Sequence, residues 1–273
     1  MTTKFCVVGS PISQSLSPTL HQAAYLHLGL DFSYQAHEVT AGTLAEFLEG
    51  SNFQGVSVTM PLKTEAFEIA LDSSAQARLT GAANTLCRNA AGWSASNTDV
   101  YGLTKALKVV PTPARTAIIG AGATANSALV ALAELYPMTN VTVMARDAAA
   151  ATESAKFGRS LGLQVSSATV SADVLTGSEL VLSLVPAGAF EEVWSEISSS
   201  RDLRSGWLFD SAYNPWPTLP ARSWGGQAVV SGLEMLIWQA IEQVALFAAS
   251  TGHDMEIDRS EVYSVMKAAV SDK

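Results

Sequence analysis

The 273-residue chain is predicted to fold as two α/β domains, and three observations predict it. Short apolar, β-branched runs alternate with amphipathic stretches almost from end to end, as strands and helices do when they share one chain. With 48% hydrophobic and 15% charged residues, the chain can bury a sizeable core without disulfides or metals. Its length allows one large domain or two of ordinary size, and a strand entering a glycine-rich turn near residue 120 opens a second series of alternation that favours two.

The elements follow in order. Residues 5–9 read as a strand. Ser17 as N-cap, Pro18 at the first helical position and Leu20, Ala23, Ala24, His27 and Leu28 on one face predict a helix that Gly29 ends. A second strand covers 34–39, followed by a short helix capped by Thr40 and closed by Gly50. Residues 55–59 form a third strand, and Pro61 opens the next helix. Two short strands, 85–88 and 93–96, flank a turn at Ala91-Gly92, and residues 99–109 look helical. Val110-Pro-Thr-Pro113 reads as a linker, since proline lacks the amide and fixes the dihedral. Strands at 116–119, 141–145, 180–183 and 207–210 then alternate with helical patterns. Helices over 232–249 and 259–269 finish the chain.

Charge narrows the partners. Sixteen Lys+Arg against 25 Asp+Glu give a net charge of −9, with no block of like charges. Nucleic-acid affinity rests on neutralising phosphates, so no nucleic-acid partner is expected, and no anionic membrane surface either. A small anionic ligand remains compatible, provided any cation that meets it is placed locally. Cys6 and Cys87 are too few for a disulfide framework and read as buried apolar residues. His21, His27, His37 and His253 show no metal-ligand spacing, so no metal is expected. Residues 1–10 lack a signal-peptide pattern, and the apolar stretch 228–249 is interrupted by Glu234, Gln239, Glu242 and Gln243. A soluble, cytoplasmic protein is expected.

The clearest motif is Ile118-Ile-Gly-Ala-Gly-Ala-Thr-Ala125, a strand running into G-x-G-x-x-A and an apolar-periodic helix. In a dinucleotide-binding fold Gly120 makes the tight turn, Gly122 admits the pyrophosphate to backbone amides, and Ala125 lets helix and strand pack closely. The end of the second strand selects the cofactor. An acid there holds the ribose 2′-hydroxyl of NAD, whereas an arginine suits a 2′-phosphate. This chain reads Ala145-Arg146-Asp147, which favours NADP(H); Asp147 contacts the ribose or caps the following helix.

Four polar clusters end apolar segments in the first half: Ser15-Leu-Ser17, Thr59-Met-Pro-Leu-Lys63, Asn84-Thr85 and Asn97-Thr-Asp99. Singly, each reads as a cap or a surface group. In their order and spacing, with Gly9 to His21, Val56 to Lys63, Gly81 to Thr85, Pro186, Asp210-Ser-Ala-Tyr-Asn-Pro215 and Gly232-Leu-Glu-Met-Leu-Ile-Trp-Gln239, they make the chain resemble the shikimate dehydrogenases from near residue 5 to near residue 252. The family often carries His where Gln14 stands, and many members read Asn-Arg-Thr at 145–147. Related quinate/shikimate dehydrogenases that use NAD carry an acid at the Ala145 position, and some replace the second serine of Ser-x-Ser, so Ser17 and Ala145 point to the NADP-dependent enzyme.

The resemblance implies a reversible, metal-free reduction of 3-dehydroshikimate to shikimate by NADPH. Lys63 and Asp99 would form the acid–base pair. Ser15 and Ser17 would bind the substrate carboxylate with help from Tyr213, and Thr59, Asn84 and Gln239 the ring hydroxyls. Gly120, Ala121, Gly122, Ala123, Thr124, Ala125, Ala145, Arg146, Asp147 and Gly232 would surround NADP(H). The implied layout is a substrate-binding domain of residues 1–104 plus 233–273 and a Rossmann-type domain of 105–232. The C-terminal helices return to the first domain, and the substrate lies in the cleft between the two. The partner is then a small molecule, and the protein a monomer or homodimer. A non-catalytic sensor on the same fold is the reading from another class; retention of both Lys63 and Asp99 stands against it.

Overall fold

The computed structural model describes residues 2–198, 206–225 and 228–271. The chain divides into two compact units, Met1–Gly102 with Leu236–Lys273, and Leu103–Met235.

The first unit contains β1 (Thr3–Gly9), α1 (Ser17–Leu28), β2 (Phe32–Glu38), α2 (Leu44–Gly50), β3 (Gly55–Val58), α3 (Lys63–Ile69), β4 (Asp72–Ser73), α4 (Ala75–Thr80), β5 (Thr85–Asn89) and β6 (Gly92–Ser96). Among the described residues its sheet has the order β2-β1-β3-β5-β6-β4. β1 pairs in parallel with β2 and β3, whereas β5 is antiparallel to both β3 and β6. This arrangement has one consequence for everything that follows. β1, β3 and β6 end, and β5 begins, at the same edge of the sheet. The four polar clusters therefore emerge side by side, although they are up to eighty residues apart in the chain.

Helix starts in this unit differ from the sequence expectation. Ser17 is the first residue of α1 and Leu16 occupies the N-cap position, so the Ser17 side chain does not cap. Gly29 closes α1 in the left-handed conformation, with φ of 67°. Thr40 does not cap α2 either. The Glu65 carboxylate of α3 accepts from Leu44 N at 3.0 Å and from Gly42 N at 2.9 Å, taking amides that a helix start leaves unpaired. Pro61 does not open α3, which begins two residues later at Lys63. The reason is that Thr59 N still donates to Val8 O at 2.9 Å and Met60 O accepts from Ser10 N at 3.0 Å. The segment is held by β1 and its following loop, and cannot wind until Leu62.

Within α5 (Asp99–Leu107) the chain passes to the second unit, so the passage falls in a helix and not at the proline stretch 110–113. There follow β7 (Arg115–Ile119), α6 (Ala123–Leu135), β8 (Asn140–Met144), α7 (Ala148–Ser160), β9 (Gln164–Ala168), α8 (Ala172–Gly177), β10 (Leu180–Ser183), α9 (Ala189–Ser198), β11 (Trp207–Asp210), α10 (Leu219–Ser223) and β12 (Ala228–Ser231). The sheet order is β12-β11-β10-β7-β8-β9, with every pair parallel. Strand order reverses at β7, which is the arrangement that binds dinucleotides beyond its carboxyl end. Ile118, Val143, Leu182 and Phe209 of the sheet pack with Ala125, Leu129 and Leu132 of α6 in one buried cluster. The strands that sequence reading leaves out, β4, β9 and β12, all lie at sheet edges. β9 reads Gln-Val-Ser-Ser-Ala with only Val165 buried, so it carries almost no apolar pattern. The chain returns to the first unit within α11 (Gly232–Ser250), and α12 (Arg259–Ala269) packs on α1.

The first unit buries an aromatic layer between α1, β1, β2 and α11. Phe5 stacks on Phe247 with centroids 4.6 Å apart, and the His21 ring stacks on Tyr34 at 3.9 Å. His21 is fully buried; Nδ1 lies 3.1 Å from Tyr25 Oη and Nε2 3.3 Å from Gln243 Oε1. Burial pushes the imidazole down from 6.5 to about 3, and the hydrogen bond to Gln243 opposes this only in part.

The sign of the linked stability follows. Below pH 6.5 the unfolded chain takes up a proton that the folded site refuses until about pH 3. Stability from this group is therefore complete above 6.5 and is lost as pH falls through that window. Urea unfolding at about pH 7.5 and about pH 5 should show a loss of roughly 2 kcal/mol from His21, with a flatter pH dependence in His21→Gln. Equal slopes for the two proteins would remove His21 as the source.

Candidate active site

Lys63 and Asp99 are brought together at the shared sheet edge. Lys63 is the first residue of α3, immediately after the turn closed by the Leu62 N to Thr59 O bond of 2.9 Å. Asp99 opens α5, with its backbone N–H donating to Asn97 Oδ1 at 3.0 Å. Asn97 in turn donates to Thr80 Oγ1 at 2.9 Å, which ties the β6–α5 corner to the end of α4. Lys63 Nζ donates to Asp99 Oδ2 at 2.5 Å, and the two side chains are only 14% and 5% exposed. Two charges so far from water need partners on every lone pair to be tolerable. The second carboxylate oxygen, Oδ1, accepts from Asn84 Nδ2 at 2.9 Å.

Asn84 is itself buried and engaged at both ends. Oδ1 accepts from Thr98 N at 2.8 Å and from Thr85 Oγ1 at 2.9 Å, while Nδ2 also faces Gln239 Oε1 at 3.0 Å and Thr98 Oγ1 at 2.9 Å. Gln239 reaches this group from α11 and donates through Nε2 to Leu236 O at 2.9 Å. Four of the residues singled out in sequence, Lys63, Asn84, Asp99 and Gln239, thus form one hydrogen-bonded group. Thr85 and Thr98 complete it; sequence reading passes over their roles because a threonine beside a polar cluster looks like loop chemistry.

Thr59, Ser15 and Ser17 stand at the same edge. Gly9 makes their loops compatible: a Cβ there would collide with Thr59 Cγ2 and sit 2.8 Å from the Met60 carbonyl oxygen. Ser15 Oγ accepts from Ser17 N at 3.3 Å, folding the Ser-x-Ser segment onto the start of α1. Ser17 is 5% exposed and Ser15 partly buried.

The second unit holds the other set. Gly120 has φ of 116°, and a Cβ on it would lie 2.8 Å from Leu184 O, so no other residue fits between β7 and the segment after β10. Its N–H donates to Met144 O at 2.8 Å. Gly122 is the N-cap of α6 and a Cβ there meets open space, so the amides of Ala123 and Thr124 begin a helix beside an unobstructed approach, while Ala125 N donates to Gly122 O at 2.9 Å. Ala121 packs against the core cluster and Ala125 lies inside it. At the end of β8, Ala145 packs on the same core and Arg146 is exposed. Asp147 is the N-cap of α7: Oδ1 accepts from Ala149 N at 2.9 Å and from Ala150 N at 3.2 Å. Of the two roles open to it in sequence, the structure shows the cap.

Tyr213 lies partly buried in the loop after β11, and Gly232 opens α11. Asp210 anchors that loop: Oδ2 accepts from Thr218 Oγ1 at 2.7 Å and Oδ1 from Ala212 N at 3.2 Å. Burial pushes the Asp210 carboxyl up against the effect of these bonds. Burial likewise pushes the Cys6 thiol up, and that of Cys87 to about 11 against a hydrogen bond with Ser250, so both thiols stay protonated and inert. Among the described residues no His, Cys, Asp and Glu grouping could hold a metal ion. No helix among them is long and apolar enough to cross a membrane.

Comparison with known proteins bears on the family and the fold. Residues 7–86 match the family described as shikimate dehydrogenase substrate binding domain. The chain is 31% identical over 264 residues to the shikimate dehydrogenase (NADP(+)) of Aeropyrum pernix, covering 93% of this chain and 94% of the relative. The crystal structure of Mycobacterium tuberculosis shikimate dehydrogenase superposes with a TM-score of 0.83 at 36% identity, covering 97% of this chain and 99% of that one. That of the Thermus thermophilus shikimate 5-dehydrogenase, in complex with NADP(H) and shikimate, gives 0.78 at 27% identity, covering 98% and 100%. Alongside a buried lysine–aspartate pair and a glycine-lined strand-to-helix turn, relatives that match along nearly the whole chain place this protein in the shikimate dehydrogenase family.

Proposed function

We propose that the chain catalyses the reversible reduction of 3-dehydroshikimate to shikimate with NADPH, an oxidoreductase step of aromatic amino-acid (chorismate) biosynthesis in the cytoplasm. The observation that carries this reading is the Lys63–Asp99 pair, 2.5 Å apart and held from behind by Asn84.

The first unit is the substrate-binding unit in this reading. The Ser15 and Ser17 hydroxyls, with Tyr213, bind the substrate carboxylate by neutral donors, and Thr59, Asn84 and Gln239 take the ring hydroxyls. A hydroxyl arriving at Asn84 or Gln239 exchanges for one of their mutual contacts. The second unit holds NADP(H). The α6 start after Gly120, Ala121 and Gly122 would meet the pyrophosphate with the amides of Ala123 and Thr124, with Ala125 packed behind them, and Gly232 is the further residue assigned to the cofactor. The Arg146 guanidinium meets the 2′-phosphate, with Ala145 and Asp147 on either side. NADPH, when bound, supplies the hydride. Lys63 holds its ammonium toward the ketone oxygen, where negative charge develops as the carbon is reduced. Asp99 Oδ2 keeps that ammonium oriented, and the proton of the new hydroxyl comes from this pair.

Rates measured with NADPH and NADH, on shikimate and on quinate, test the reading directly: NADP(H) with shikimate is the expected combination, and a preference for NAD with quinate overturns it. Lys63→Ala should lower kcat by roughly 10²–10⁴ with the KM for shikimate changed much less. Undiminished turnover would take Lys63 out of the chemistry. Arg146→Ala should raise the KM for NADP(H) about tenfold or more and leave that for NAD(H) nearly unchanged. Equal changes for both cofactors would show that Arg146 does not read the 2′-phosphate.

A further inference from the structure

Behind the acid–base pair lies a buried polar network that the reaction scheme does not use. Gln243, on α11 one turn beyond Gln239, is 2% exposed. Its Nε2 donates to Asn84 O at 3.0 Å and to Thr85 Oγ1 at 3.1 Å, and its Oε1 accepts from Ser57 Oγ at 2.9 Å. An isolated buried amide is costly, whereas a fully satisfied one fixes its neighbours.

The donors and acceptors between Gln243 and Asn84 have one consistent assignment, while the two hydrogens of Asn84 Nδ2 serve the three acceptors Asp99 Oδ1, Gln239 Oε1 and Thr98 Oγ1. A backbone carbonyl only accepts, so the end of Gln243 that faces Asn84 O is the nitrogen. A backbone N–H only donates, so the end of the Asn84 amide that faces Thr98 N is the oxygen. Thr85 Oγ1, with its single hydrogen, lies between a nitrogen that donates and an oxygen that accepts. It therefore accepts from Gln243 and donates to Asn84. On the far side Ser57 gives its hydrogen to Gln243 Oε1 and accepts from Tyr34 Oη at 2.6 Å. His21 Nε2 carries the hydrogen toward the same Oε1 at 3.3 Å, leaving Nδ1 to accept from Tyr25 Oη at 3.1 Å. The direction runs from α1, β2 and β3 through Gln243 to Asn84, and from Asn84 Nδ2 to Asp99 Oδ1 at 2.9 Å.

We propose that Gln243 is a positioning residue for the reaction: it clamps the Asn84 backbone and sets the Thr85 hydroxyl so that the Asn84 amide presents Nδ2 to Asp99. Gln243 touches neither Asp99 nor Lys63, and its effect reaches them through Asn84. The inference rests on the reading of Lys63 and Asp99 as the acid–base pair.

The test is a double-mutant cycle on Gln243→Met, which keeps the side chain's length and removes both hydrogen-bonding ends. Shikimate oxidation by NADP+ should fall about tenfold to a hundredfold in kcat/KM for shikimate, with the KM for NADP+ unchanged. In an Asn84→Ala background the same substitution should cost no more than about twofold, because the group it positions is gone. Thr85→Val breaks the path at the hydroxyl and should show the same loss, again absent in Asn84→Ala; it decides the matter if Gln243→Met does not fold. Losses that multiply in the double variants, a parallel rise in the KM for NADP+, or wild-type kcat/KM in the single variants would each overturn the proposal. Lys63→Ala, run alongside, separates the two claims. If it is inactive while Gln243→Met is fully active, only the positioning role fails; if it is active, the acid–base reading fails.

Discussion

The structure of the first unit turns on placing an ammonium against a carboxylate where little water reaches. Lys63 and Asp99 make a 2.5 Å contact with side chains 14% and 5% exposed. Such a pair is a poor way to stabilise a fold, because desolvating both charges offsets most of the attraction and apolar residues of like size commonly do as well. The proposed reaction gives the pair a use that stability does not, and its cost explains the surroundings. Asp99 needs a donor on its second oxygen, Asn84 supplies it, and Asn84 then needs acceptors and donors of its own. The satisfied shell spreads to Thr85, Thr98, Gln239 and Gln243 because a half-satisfied buried network is worse than none.

Sheet topology makes the pair possible. Had β5 run parallel to β3, Asn84 would lie at the opposite edge from Thr59 and Lys63; the antiparallel pairing of Ser57 with Thr85 brings it alongside. The β5–β6 hairpin then returns the chain to the same edge, with Thr85 paired to Ser96, and Asn97 to Asp99 follow at once. The turn holding Lys63 is fixed by β1, through Thr59 and Met60, and by the bareness of Gly9. Three non-adjacent segments are therefore located by backbone hydrogen bonds before any side chain interacts. That is the rigidity a short charge-assisted contact requires.

Much of this was legible in the amino-acid sequence, for identifiable reasons. Gly120 must be glycine because a carbonyl occupies the place of its Cβ, and such a constraint leaves a mark in the chain. Lys63, Asn84, Asp99 and Gln239 are polar residues at the ends of apolar runs, so their positions announce a site. Gln243 has the same chemistry but reads only as an interruption in an apolar helix, since its partners Ser57 and Asn84 are 186 and 159 residues away. Its spacing of four from Gln239, which puts both on one helix face, was the available signal. Helix starts were misplaced for a related reason. Ser17 and Thr40 are good caps in isolation, whereas the group that serves α2 is Glu65, a contact made by tertiary structure. Edge strands such as β9 escape because a strand with one buried residue has no alternation to read.

The net charge of −9 sets the last constraint, because both proposed ligands are anions. The field of the whole protein does not attract them, so the attraction has to come from a few local groups. Neutral donors suffice for a carboxylate, and helix amides for a pyrophosphate, but a dianionic 2′-phosphate calls for a cation. Arg146 stands exposed at the end of β8, and the acid beside it could have cancelled its charge. It does not pair with it. The Asp147 carboxylate turns away to the amides of Ala149 and Ala150, where the positive end of α7 compensates it. Ala145, packed on the core, leaves no acceptor for a ribose 2′-hydroxyl at the position where NAD-selective sites keep one. One carboxylate removed to a cap and one small apolar side chain leave Arg146 exposed with its charge uncancelled, which is what the proposed role toward the 2′-phosphate requires.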